Sequence, residues 1–294
     1  TRRGKQRSES IMRIAFSKWH GYGNDFLVFD ESLFQEEQLS TFTAFVCRPH
    51  SGLGADGCVF FQERSKGIFG FRIFNRDGGE AGMSGNGSRC AAAQIHRSGQ
   101  SAGTRLILHT RSGKKTLQLV AQKSATRWTY LSDLGRVAFL PSEIPCLVDD
   151  KEIVSQHAVE IEGRTLDVNA LSVGNPQCAV ILDRLPDPET FRRLGSKLET
   201  HALFPDRTNV TFVQVVDRKH ILIQVWERGV GPTASSGTGS CGAGVTVIRL
   251  GLVDSPVEVK TTSGAQILEW SQGSTVELTG DAELVAEGYC YWEP

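Results

Sequence analysis

Two short segments carry the residues best suited to chemistry. Ser84-Gly85-Asn86-Gly87-Ser88-Arg89-Cys90-Ala91 returns in loose form as Ser236-Gly237-Thr238-Gly239-Ser240-Cys241-Gly242-Ala243, 152 positions later in a chain of 294 residues. Each is a Ser-Gly-x-Gly turn running into small residues that suit a helix start. Such a start exposes unpaired backbone N–H groups at the positive end of a helix dipole, where a carboxylate or phosphate binds without a cationic side chain. Half-chain spacing implies a duplicated unit with two facing loops that clamp one small anion. No Gly-Lys-Ser/Thr follows either loop, and no GxGxxG precedes a downstream acid, so carboxylate is favoured over nucleotide phosphate. Taken singly, a serine before such a glycine is an ordinary helix N-cap; the pairing gives it a second meaning.

Polar residues lie in loop-like contexts around both segments: Asn24, Asn75, Asn175, Asn209, Glu227 and Arg228. Arg grips a carboxylate bidentately, a carboxylate accepts from an ammonium, and an amide does either, so this set suits an amino acid head group. The plainer readings are turn asparagines and a surface Glu227-Arg228 pair of little consequence. His20, in a glycine loop, reads as structural, and His109, His157, His201 and His220 share no motif.

The elements that must position these residues follow the same two-part rhythm. Strand patterns cover 13–18, 26–29, 58–62 and 70–75, with a helix over 36–46; after the first Gly-rich loop a helix covers 89–97, and strands follow at 106–109, 115–121 and 128–131. In the second half, strand patterns cover 153–159, 164–173, 179–182, 210–216 and 220–226, the last two as a hairpin around Asp217-Arg218-Lys219. A helix covers 189–198, and a second follows the second Gly-rich loop over 241–250. Strands at 257–260, 265–270 and 274–279 close the unit. Mostly strands, with a helix after each loop, predicts an α+β fold. It comprises two pseudo-symmetric domains, each a curved, mostly antiparallel sheet around a central helix, with the ligand site between them. The expected division is 12–133 and 134–282, with 283–294 returning to the first domain on its aromatic Tyr289-Cys290-Tyr291-Trp292, and 1–11 as a flexible arm.

Bulk properties narrow the function. Net charge is −1 with 22% charged residues, so no basic excess points to nucleic acid or an acidic membrane. No apolar run approaches the roughly 18 residues of a membrane span, and no signal-peptide core is evident near the start. The seven cysteines are scattered and form no zinc pattern, reading as reduced core thiols of a cytoplasmic protein. A homodimer is one assembly that this composition allows.

Several segments in order resemble the diaminopimelate epimerase family of cofactor-independent amino acid epimerases: Phe16-Ser-Lys-Trp-His-Gly-Tyr-Gly-Asn-Asp-Phe26, Gly54-Ala-Asp-Gly57, Arg72-Ile-Phe-Asn-Arg-Asp-Gly-Gly-Glu-Ala81, Gly85-Asn-Gly-Ser-Arg-Cys90, Gly174-Asn-Pro176, Asn209, Glu227-Arg-Gly-Val-Gly231 and Gly237-Thr-Gly239. The resemblance implies epimerisation of L,L-diaminopimelate to the meso form in lysine and peptidoglycan precursor synthesis, with no cofactor and no metal. Two cysteines would face the α-carbon from opposite sides, one removing and one returning a proton. The carboxylate would sit on the helix starts at Gly85-Asn86 and Gly237-Thr238, with Asn24, Asn75, Asn175, Asn209, Glu227 and Arg228 around it. The positions of those two cysteines hold Ser84 and Ser236. Gln177 stands where the family commonly has His, and Pro232 where Glu usually follows Gly-Val-Gly. Cys90 and Cys241 read as core. Serine is nearly isosteric with cysteine, so binding geometry should survive. Proton abstraction is harder, because an alkanol is a far weaker acid than a thiol. Open readings are therefore an epimerase working with serines activated by a neighbouring base such as Glu227, a site altered to trap substrate, a racemase of another amino acid, and an amino-acid-binding homologue. The changes at Gln177 and Pro232 favour natural divergence over a designed trap. Phenazine-type isomerisation is disfavoured, because no carboxylate replaces either cysteine.

Overall fold

The computed structural model describes residues 11–148 and 153–294. The expected arm over 1–11 lies, apart from Ile11, outside the described residues. The first half runs β1 (Met12–Gly21), β2 (Asn24–Asp30), α1 (Gln38–Val46), β3 (Gly57–Ser65), β4 (Ile68–Asn75), β5 (Glu80–Ala81), α2 (Gly85–Arg97), β6 (Arg105–Thr110), β7 (Gly113–Gln122) and β8 (Arg127–Arg136). The second runs β9 (His157–Ile161), β10 (Arg164–Ser172), β11 (Pro176–Ile181), α3 (Pro188–Glu199), β12 (Asn209–Asp217), β13 (His220–Glu227), β14 (Gly231–Thr233), α4 (Gly237–Arg249), β15 (Val257–Thr261), β16 (Gly264–Glu269) and β17 (Thr275–Trp292). None of these helices is long and apolar enough to cross a membrane.

Pairing closes the first half into a ring. β1 pairs with β2, β2 with β3, β3 with β4, β4 with β6, β6 with β7, β7 with β8, β8 with β17, and β17 returns to β1. The β2–β3 and β4–β6 contacts are parallel and the rest antiparallel. In the second half β10, β11, β12, β13, β15, β16, β17 and β8 follow in the same pattern, with β11–β12 and β13–β15 parallel. A bridge between Ala138 and Ser172 leads from the end of β8 back to β10. The expected boundaries after 133 and 282 thus fall inside β8 and β17, the two strands common to both rings.

Each ring is filled by one helix. The buried face of α2 (Cys90, Ala91, Ala92, Ala93, Ile95) meets residues from all eight strands of its ring, among them Trp19, Phe26, Val59, Ile73, Leu106, Leu117, Tyr130 and Ala282. Around α4, Cys241, Ala243, Val245 and Val247 meet Leu134, Leu171, Ala179, Val213, Val225, Val257, Leu268 and Leu278. A helix enclosed on all sides is apolar or small on all sides, which explains the alanines and glycines that thin both helices. The strands are buried on their other face too: Phe26 and Val28 face α2, while Leu27 and Phe29 pack under α1. On the second ring α3 takes the matching outer place.

Three expectations need correction. Both central helices begin four residues earlier than their patterns indicated, at Gly85 and Gly237; glycine is a poor helix former, and only a serine cap and the enclosing ring make it helical. The strand expected over 153–159 is β9 at His157–Ile161. The strand expected to end at 279 runs on to Trp292 as β17, 18 residues long in all, first against β8 and then against β1 as far as Met12–Trp292. The aromatic tail therefore does return to the first ring, as a strand, with Trp292 packed on Phe42.

Close helix–strand approach fixes the site's shape at Gly242, where a Cβ would lie 2.9 Å from Gln177 Cβ. Gly242→Ala must push α4 from β11; a loss of about 1–3 kcal/mol in urea unfolding is expected, and an unchanged midpoint would contradict this packing.

Candidate active site

Ser84 and Ser236 occupy the same place on the two central helices. Each is the N-cap in extended backbone, at φ −137°, ψ 129° and φ −137°, ψ 126°. Each hydroxyl accepts from the N–H three residues on: Gly87 N at 3.1 Å and Gly239 N at 3.2 Å. The capping reading is thus correct for both serines, and capping also aims each Oγ at the positive end of its helix.

The two helix starts meet. A Cβ added to Gly85 would lie 3.9 Å from Gly237 Cα, and one added to Gly237 would lie 3.8 Å from Gly85 Cα. Beside each helix start stands a Gly-Asn turn, with Gly23 at φ 83° and Gly174 at φ 93°. Asn86 Nδ2 donates to Asn24 Oδ1 at 3.1 Å, and Asn175 Nδ2 donates to Thr238 Oγ1 at 3.3 Å. The turn asparagine and the second helical residue are therefore joined in both halves, with the helical residue donating in the first and the turn asparagine in the second.

The remaining expected residues divide. Asn209 is buried; its Nδ2 donates to Pro176 O at 3.0 Å and its Oδ1 accepts from Arg228 N at 2.9 Å. It therefore ties β11 to the segment carrying Glu227 and Arg228. Glu227 and Arg228 do not pair with each other. The Arg228 side chain points to solvent, with Nη1 donating to Asp206 O at 2.9 Å. Glu227 turns inward. Burial pushes its carboxyl above the usual carboxylate range, with the Asp56 charge adding to this and the adjacent Ser236 hydroxyl opposing it. Asn75 ends β4 as Glu227 ends β13, each nine residues before its serine, but Asn75 is exposed and does not titrate. At these matching positions the Ser236 side thus has a carboxyl and the Ser84 side an amide.

Sequence reasoning gave no site role to four contributors. Asp56 accepts from Asn24 Nδ2 at 2.9 Å and Asp25 N at 3.2 Å, fixing the first turn. Gln177 Nε2 donates to Asn175 Oδ1 at 2.9 Å, fixing the second. Glu199 accepts from Trp226 Nε1 at 2.6 Å and Gly229 N at 2.9 Å, straddling Glu227 and Arg228. Arg89 is enclosed between the rings with no exposure. Asp56 lies in a segment that carried the family resemblance; Glu199 had no local signal. Cys90 and Cys241 are fully buried, their thiols pushed up to about 12 by burial, as befits core residues. His20 Nδ1 accepts from Gly23 N at 3.3 Å, a structural part.

Two enclosed helices meeting at capped N-termini define a fold that solved structures of other proteins share. A hydroxyproline epimerase from Agrobacterium vitis superposes with a TM-score of 0.65 at 14% identity, covering 96% of this chain and 92% of that one. A phenazine biosynthesis protein from Bacillus anthracis gives 0.66 at 12%, covering 95% and 99%. In sequence, the diaminopimelate epimerase family profile matches residues 16–140 and 169–285. Diaminopimelate epimerases of Methanothermobacter thermautotrophicus and Cupriavidus pinatubonensis are 36% and 38% identical, covering 96% and 94% of this chain and 100% and 97% of their own. The chain belongs to the diaminopimelate epimerase family.

Two outcomes follow. Ser84→Ala and Ser236→Ala should each cost about 1 kcal/mol through the lost cap, seen as lower urea midpoints; no change in either would deny the capping geometry. Glu227 has a folded pKa above its unfolded one, so its contribution is present below the unfolded pKa and lost as pH rises through the folded pKa. Glu227→Gln should therefore melt higher than the parent chain at pH 7 and the same at about pH 3.5, and a lower melt at pH 7 would reverse this assignment.

Proposed function

We propose that this chain epimerises L,L-diaminopimelate to the meso form by proton transfer at the α-carbon, without pyridoxal phosphate, as a cytoplasmic step towards lysine and peptidoglycan precursor. The observation that carries this reading is the contact between two serine-capped helix N-termini, in a chain aligned with diaminopimelate epimerases over nearly its whole length. The α-carboxylate lies against the N–H groups at Gly85-Asn86 and Gly237-Thr238, which stabilise the charge that spreads onto it when the proton leaves. Asn24, Asn175 and Asn209 shape the walls, and the exposed Asn75 receives the distal amino acid head, joined by Arg228 once its side chain swings in from Asp206 O. The ligand is a free amino acid, and neither nucleic acid nor membrane is required. A homodimer is compatible with this role.

Proton transfer begins on the Ser236 side. Ser236 Oγ takes the α-proton as its own proton passes to the Glu227 carboxylate, so no free alkoxide forms. The Ser84 hydroxyl gives its proton to the opposite face as a solvent water gives one to Ser84 Oγ, and Glu227 returns its proton to solvent, so the cycle closes without a free alkoxide. General-base efficiency requires a group titrating near the working pH; Glu227, raised by burial, meets this better than a hydroxyl does. A specific observation also supports a second reading, an amino-acid-binding homologue without turnover: the Ser84 side has Asn75 where the other has Glu227.

Deuterium incorporation at the α-carbon of L,L-diaminopimelate in D2O, followed by NMR, separates the readings. Exchange by this chain, rising with pH through a carboxyl pKa above the ordinary range, is the expected result. Glu227→Gln should lower it by about 10²-fold or more, with affinity little changed. Exchange only after Ser84→Cys with Ser236→Cys would mean a binding site lacking its acid–base pair. Exchange in neither, with the protein folded, would sink the diaminopimelate reading.

A further inference from the structure

Among the described residues Arg89 is the most enclosed charge, and it pairs with no carboxylate there. It lies on α2, four residues after Gly85, with no surface exposed. One nitrogen, Nη2, donates to Asn86 Oδ1. Nε and Nη1 find no acceptor among the described residues. Nη1 lies 3.9 Å from where a Cβ on Gly85 would stand, so the guanidinium sits directly behind the helix start. Gly280 of β17 lets it in: a Cβ there would lie 3.1 Å from the guanidinium carbon. The ring of Tyr22 covers it at 5.8 Å.

A buried cation normally has an ion partner, because desolvating an unpaired one costs several kcal/mol. Burial accordingly pulls the Arg89 pKa below the usual guanidinium range, against the Tyr22, Cys90, Asp281 and Cys241 groups around it. Those groups come from β2's preceding turn, α2, β17 and α4, so its field reaches both halves. The thiols of Cys90 and Cys241, one on each central helix, both feel that charge. Arginine does not lose its proton in such a setting, and the fork held by Asn86 stays charged.

We propose that Arg89 is a positioning residue that supplies a fixed positive charge behind the two opposed helix N-termini, so that an anion between them completes the charge balance and Ser84 and Ser236 face a positive potential. Through Nη2 it also orients Asn86, and through Asn86 the Asn24 turn. This rests on the reading of the helix starts as an anion site; the two helix dipoles and the guanidinium then act in one direction, with Arg89 touching neither substrate nor reacting atom.

The test needs no substrate. Ser84→Cys and Ser236→Cys each place one thiol at a helix start, while the seven native thiols are buried. The pH profile of iodoacetamide alkylation gives the pKa of the introduced thiol, with Arg89 present and in Arg89→Gln, Arg89→Met and Arg89→Lys backgrounds. Removing the charge should raise that pKa at both positions by about one unit and slow alkylation at pH 7 several-fold. Arg89→Lys should restore most of the shift. Should Arg89→Gln fail to fold, Arg89→Met, which keeps an unbranched stem in the cavity, gives the same comparison. Unchanged thiol pKa values in a folded variant would overturn the proposal, as would equal shifts in Arg89→Met and Arg89→Lys. Absence of diaminopimelate exchange would leave this result untouched, so the two readings fail separately.

Discussion

Two like-charged helix ends are pressed together at Gly85 and Gly237, and the rest of the molecule is arranged around that contact. Each N-terminus carries about half a positive charge, and two such ends roughly 4 Å apart repel by about 1 kcal/mol at a near-surface dielectric. Nothing local attracts them. They are held by their rings, which share β8 and β17 and therefore cannot separate without breaking both sheets. Each ring buries many large apolar side chains, and each contributes about 1.5–3 kcal/mol, so the core outweighs the repulsion many times over. What results is a preorganised positive gap. An anion entering it relieves a repulsion that folding had already imposed, and charge moving onto that anion during proton loss is favoured further.

The legibility of this arrangement varied with how local its causes were. The paired Ser-Gly-x-Gly loops stood out because duplication writes the same turn twice. The helices behind them were read four residues short, since glycine-rich starts look like loops until a cap and an enclosing sheet are added. β17 was cut at Thr279, since Gly280 and the charges after it resemble a turn; its continuation is set by partners β1 and β8, which lie far away in sequence. Arg89 was invisible for the same reason. An arginine among alanines reads as a solvated helix residue, and only the second ring, through Gly280 and Cys241, makes it a buried charge.

Duplication also explains what differs between the halves. Asn24 and Asn175 make matching bonds to Asn86 and Thr238, and Ser84 and Ser236 make matching caps. In the proposed function these parts bind, and binding a carboxylate between two helices is served equally by both. Asn75 and Glu227 hold matching positions with different chemistry, and the carboxyl is the one that turns inward. At this pair of positions a scaffold with two-fold geometry therefore carries different chemistry on its two sides, while Asp56 on the Ser84 side is engaged by Asn24 and the Asp25 N–H.

That separation clarifies what serine for cysteine does here. The cap geometry depends on an acceptor atom at Oγ and on extended backbone, both of which serine provides at least as well as cysteine. The reactivity depends on how readily that atom gives up a proton. A helix end and a buried cation can lower a thiol pKa to neutrality, but the same field acting on an alcohol starts from too high a value to populate the alkoxide. Electrostatics that would suffice for two thiols thus does not suffice for two hydroxyls. Under the proposed mechanism a second proton acceptor is necessary, and Glu227 is the carboxyl that stands next to a serine hydroxyl. The proposed reaction then depends on that one carboxyl in both directions of transfer, a constraint set by one residue in a site whose shape both halves share.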